Sequence, residues 1–298
     1  WQSLSIPNSA VNKTYFTSSL VGHAVCKNGI ILKTIDGGQN WYITRDNSNI
    51  IPSDYFTVYF VNENIGFSTQ EHNYMFKTTD GGETWVEVAG INDAIYSIYF
   101  LDENIGYATG GHGVIFKTID SGNTWTWAGF QNGRYGNTSM YGIYFLDSNI
   151  GYATGARGRI IKTIDGGNTW TQHSQTYNDF RQLQFIDSNI GYAQSGSHFY
   201  KTTDGGNNWN LTGSLSIGTT VFAGSFTFIN ENLGYATTAG ANGGRVFKTI
   251  DGGVTWSILR NGYDVIDNGI NSIFFLSKVK KRSHKFTKLN LRIHSLYY

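Results

Sequence analysis

The sequence predicts an all-β fold, a seven-bladed β-propeller of four-stranded antiparallel blades, and three observations predict it. An eight-residue box, T-x-D-x-G-x-x-W, recurs six times, with its aspartates Asp36, Asp80, Asp120, Asp165, Asp204 and Asp251 separated by 44, 40, 45, 39 and 47 residues. A second motif precedes each box, clearest in Y99-F-L-D-E-N-I-G-Y-A-T-G110 and Y144-F-L-D-S-N-I-G-Y-A-T-G155. No segment sustains a helical period over three turns, whereas short alternating runs separated by Gly and Asx turns are frequent. A fixed period in this range means a stack of like units, and sheets arranged radially bury the faces that one sheet alone cannot.

Each element of the unit follows from its residues. An alternating apolar run forms the first strand, and a D/N-x-N turn reverses the chain. The G-Y-A run is the second strand, a Gly-rich turn leads into the I-x-K-T third strand, and the box then turns into a short outer strand starting at its Trp. The box Asp is expected to accept hydrogen bonds from N–H groups of its own turn, the glycines to allow positive φ, and the Trp to fill the gap between sheets. Asp36, Asp80, Asp120, Asp165, Asp204 and Asp251, with Trp41, Trp85, Trp125, Trp170, Trp209 and Trp256, are therefore read as structural, since six equivalent copies argue for a repeated mechanical job rather than catalysis or calcium binding. The blades are placed at 11–45, 54–88, 94–128, 139–172, 180–211 and 224–259, within a single domain spanning 1–298.

The ends suggest how the ring closes. Trp1 lies 40 residues before Trp41, where a box tryptophan belongs, and N271-S-I-F-F-L276 opens a further unit. Residues 1–5 are thus expected to supply the outer strand of a seventh blade whose remainder is 269–298. Residues 277–298 lack both motifs, and 268–298 hold seven Lys and Arg with no acid. Three readings of this tail stand: divergent strands of blade seven, a basic interaction tail, or a non-native end from an altered reading frame.

Composition limits the functional classes. With 22 basic and 21 acidic residues and no recognition fold, the chain is not read as a nucleic-acid binder. No apolar run reaches 18 residues, so no transmembrane segment is expected. Cys26 is alone, which excludes a disulfide framework and a cysteine metal cluster. No metal or cofactor is expected: His72, His112 and His198 occupy related hairpin positions in separate blades, with no carboxylate spacing to complete a ligand set. Low charge, at 14%, and abundant Asn and Tyr point to an extracytoplasmic or secreted protein, and the start at Trp1 to a processed or truncated N-terminus.

The box resembles the Asp-box, or BNR repeat, of sialidases, xyloglucan-cleaving glycoside hydrolases and sorting-receptor propellers. The fuller pattern G-Y-A-T-G-x-x-G-x-I-x-K-T-x-D-G-G-x-T-W is most similar to the photosystem II stability and assembly factor family, which implies a seven-bladed propeller without known catalysis over residues 1–276. The sialidase likeness fails at its key residues, since Ser5-Ile6-Pro7 stands closest to that family's Arg-Ile-Pro stretch and has no arginine. Xyloglucan-cleaving enzymes need two propellers, and 298 residues hold one.

The box face repeats from blade to blade, so a unique site is expected on the opposite face, where the inter-blade loops differ. Candidate ligand- or partner-binding residues there are Arg134, Tyr135, Arg157, Arg159, Asp179, Arg181 and Arg245. Arginine's planar fork beside tyrosine suits an acidic protein segment or a glycan. The leading expectation is a non-catalytic scaffold that binds another protein, as an assembly factor or cell-surface module. A carbohydrate-binding or sialidase-like hydrolase propeller is the alternative, and oligomeric state is left open.

Overall fold

The structure is a computed structural model, and it describes residues 11–46, 53–71, 74–129, 138–173, 178–216, 222–239, 244–260, 273–275 and 291–293. Six four-stranded antiparallel sheets follow one another along the chain, each in simple meander order. Their innermost strands are Val11–Phe16, Tyr55–Phe60, Ile95–Phe100, Met140–Phe145, Gln182–Phe185 and Phe222–Phe228.

Among the described residues six four-stranded blades stand, not the seven expected. In place of a seventh blade stands a two-stranded antiparallel sheet, Ile273–Phe275 paired with Leu291–Ile293. Its first strand lies beside the innermost strands of both blade six and blade one, and so bridges the ends of the series. The physical reason is in the tail's residues: without a G-Y-A-T-G run or an Asp-box it lacks the segments that make the second, third and fourth strands elsewhere. Residues 1–5, expected to complete that blade, lie outside the described residues.

Within the box, the threonine and the aspartate both bond to the turn that joins the third and fourth strands. Thr118 Oγ1 donates to Asp120 Oδ1 at 2.8 Å and accepts the Gly122 N–H at 2.9 Å. Asp120 Oδ1 accepts the Thr124 N–H at 2.9 Å, and Oδ2 the Thr124 hydroxyl at 2.6 Å. These bonds, the Thr124 hydroxyl foremost, hold the Asp120 carboxyl down at about 2. A backbone bond from Asn208 leads the same effect at Asp204. The box is also tied to the first turn of its own blade, as in Gly166 N–H donating to Asn149 O at 2.9 Å.

The core lies between neighbouring sheets. Tyr107 and Ile115 of blade three pack with Met140, Ile143, Phe145 and Trp170 of blade four, and comparable clusters fill the four other gaps between consecutive blades. Phe145 stacks on Tyr107 at 3.8 Å and meets Trp170 edge-on at 6.0 Å. Polar ties reinforce the same seams: Tyr107 and Lys117 both donate to Gly166 O, and Tyr152 and Lys162 both donate to Gly205 O. The third-strand lysines of blades one to four thus clamp each of those blades to the next.

A ligand face built at the channel mouth

The six innermost strands surround a central channel of about 820 Å³. They enter it from the face opposite the boxes, where the second hairpins of blades two, three and four bond back to the strand entry, as in Ala156 N–H donating to Ser139 O at 2.9 Å. Strict alternation would send every second side chain inward, but the strands break it. Pairing slips at Asn12, Phe56, Tyr96 and Tyr141, so that each of these residues and its successor both line the channel. The bulge leaves a trace in the sequence, because the buried positions Ile95, Ile98 and Phe100 are spaced three and then two apart.

These bulges build an aromatic arc at the mouth. Phe56 meets Tyr96 at 5.3 Å, Tyr96 meets Tyr141 at 5.7 Å, and the Arg181 guanidinium lies 5.3 Å from the Tyr141 ring centroid. Asp179 joins the end of this arc to the neighbouring hairpin: its Oδ1 accepts the Arg157 N–H at 3.1 Å and its Oδ2 the Tyr141 hydroxyl at 3.5 Å. Arg157 is exposed and holds φ at +57°, a left-handed conformation unusual for a residue with a Cβ. Asp54 accepts the Asn28 N–H at 3.2 Å from an Asn at φ +58°, the same arrangement in an earlier blade.

Arg157, Asp179 and Arg181 are therefore brought together, with Tyr141 among them. Arg159 is half-buried and bonds Thr138 Oγ1. Arg245 is only 6% exposed, and its backbone is paired in both directions with Thr238. Arg134 and Tyr135 fall outside the described residues, as does His72. His112 Nδ1 lies 3.0 Å from Asp93 Oδ1, while among the described residues no group of three or more His, Cys, Asp or Glu is placed to hold a metal. Cys26 is fully buried, and burial pushes its thiol up to about 12. Tyr141, Tyr96 and Phe56 were absent from the sequence candidates because they sit in the repeated first strand rather than in a variable loop.

The repeat matches one family. The sequence profile described as photosynthesis system II assembly factor YCF48 matches residues 1–128 and 88–221 of the 298. The chain belongs to this YCF48 family. Two solved YCF48 structures share its fold. One, described as YCF48 bound to D1 peptide, is 21% identical over 93% of this chain and 91% of that one, with a TM-score of 0.72. YCF48 from Cyanidioschyzon merolae is 17% identical over 93% and 92%, with a TM-score of 0.71. A GH74 enzyme from Niastella koreensis is similar at 17% identity over 84% of this chain but 45% of that one, with a TM-score of 0.66. Among curated protein sequences, no relative matches. The YCF48 family fits the reading of a non-catalytic scaffold, and among the described residues no helix is long and apolar enough to cross a membrane.

Proposed function

We propose that this protein is an assembly-factor-like scaffold that holds an acidic peptide segment of a partner protein across the face opposite the boxes. The observation that carries this is the placement of Arg181 over Tyr141, with Asp179 linking that pair to the exposed Arg157. Asp179 is occupied in fixing the hairpin backbone, so the guanidinium of Arg157 faces solvent on a held loop. A flat ring beside two forks suits a carboxylate gripped from one side with its stem against the tyrosine. Peptide binding by a YCF48 of the same fold supports the reading. Low charge and the likeness to an extracellular domain of a putative one-component system support an extracytoplasmic location.

The test is titration of the intact chain with the D1 peptide and with acidic peptides of scrambled order. Arg157→Glu and Arg181→Glu should each weaken binding at least tenfold, about 1.4 kcal/mol, with the denaturation midpoint unchanged. Ser188→Glu, on the box face, is the control. Equal losses in all three variants would overturn the assignment. The aromatic arc favours one other reading, stacking of a sugar ring, and a glycan array that lights up while every peptide stays silent would select it.

A further inference from the structure

We propose that the central channel is a second binding site, adjoining the peptide face at Tyr141 and Arg181, for a small ring-bearing carboxylate gripped by Lys13 with its ring against the aromatic wall. The cavity, at about 820 Å³, has the size of a small-molecule pocket. Among the described residues its lining includes two cations, Lys13 and Arg181, and no Asp or Glu. Among the described residues, the Lys13 ammonium has no ion pair and no hydrogen bond. Lys13 is half-buried in the channel wall, and that partial burial lowers its pKa, with no neighbouring charge to oppose the shift.

The other blades show what this position looks like without a charge. At the matching register they carry Thr57, Ser97, Gly142, Gln182 and Ser225, all neutral. Gln182 is already spent, its amide donating to Phe226 O at 2.9 Å and its carbonyl accepting the Phe226 N–H at 3.1 Å. A half-buried ammonium without a counter-ion costs stability that a Thr or Ser would not. An anion entering the channel would restore the balance, and the partial removal from water would strengthen the pair relative to one on the open surface. Phe56, Tyr96 and Tyr141 supply a continuous apolar wall on the way in, which selects a flat body over a bare inorganic ion.

Benzoate is a suitable probe, with benzyl alcohol and benzylammonium as its neutral and cationic counterparts, followed on the intact chain by saturation-transfer NMR and calorimetry. The expected result is saturable benzoate binding, with benzyl alcohol at least tenfold weaker and benzylammonium silent. Lys13→Met should weaken benzoate at least tenfold while the denaturation midpoint holds or rises, since it removes an unpaired amine. Lys13→Gln gives a second variant of similar length, and Tyr96→Ala should weaken benzoate and benzyl alcohol alike. Arg157→Glu, which tests the peptide reading, should leave benzoate binding intact. Absence of saturable benzoate binding, equal affinity for the alcohol, or unchanged affinity in both Lys13 variants would overturn the proposal.

Discussion

His23 holds, in blade one, the place that Tyr107, Tyr152 and Tyr192 hold in blades three to five. Each of those tyrosines stacks on the first-strand Phe of the next blade and donates its hydroxyl to a backbone carbonyl there. His23 stacks on Phe60 at 3.9 Å in the same way, but neither ring nitrogen finds a partner. Burial, helped by the nearby Lys33 charge, depresses its pKa to about 3 from 6.5. An unfolded chain takes up a proton here at pH 6.5 and the folded one does not until about 3, so stability is complete above 6.5 and falls as pH drops through that window. At pH 5 the loss from this residue alone is about 2 kcal/mol. The box carboxyls act lower: Asp36, held down by the Asn40 N–H, and Asp120 keep their stabilising effect until pH falls below 3.8 towards about 2. His23→Tyr should therefore flatten the stability profile between pH 7 and 5 and leave the steeper loss below 4. Denaturation midpoints across that range read the effect, and parallel curves for both proteins would show that His23 is not the titrating group.

At the scale of the blade, two small residues set the geometry. Gly151 opens the second strand, and a Cβ there would sit 2.4 Å from the Phe145 ring, which covers the strand start; the same contact recurs at Gly106 against Phe100. Gly151→Ala should cost about 1–3 kcal/mol by pushing that ring off Tyr107 and Trp170. Thr118→Val, which keeps shape but orphans the Gly122 N–H, should cost a comparable amount, about 1–3 kcal/mol. Chemical denaturation measures both, and a change of a few tenths in either would show that the hairpin tolerates the loss. Strand order, box bonding and burial of the Trp were legible because each is a local pattern repeated six times. The bulges at Phe56, Tyr96 and Tyr141 were much less so. They move side chains across the sheet by a one-residue slip in pairing, a relation between strands that no single run displays. The arginines were legible as residue types on one face, yet burial of Arg245 depends on how the second hairpin of blade six folds back on itself, which spacing alone does not convey.

Across the whole molecule, closure is the feature that the repeat misstated. Extrapolating a period assumes that the last unit has the residues of the others, and the tail lacks them, so a two-stranded sheet stands where a full blade was expected. That sheet still has a function for the ring. Its strand Ile273–Phe275 lies against the innermost strands of blades one and six, which would otherwise face each other across an open seam. Blade one also carries Lys13 and blade six Ser225 and Phe226, so the seam borders the channel. Ending the chain after Arg260 should therefore lower the denaturation midpoint and strip amide protection first from Val11–Phe16 and Phe222–Phe228, while the strands of blades three and four stay protected. Hydrogen exchange followed by mass spectrometry resolves these segments. If all six inner strands kept their protection in the shortened chain, the blades would be holding the ring through their own seams, and the Tyr and Lys ties between neighbours would be sufficient without a bridging strand.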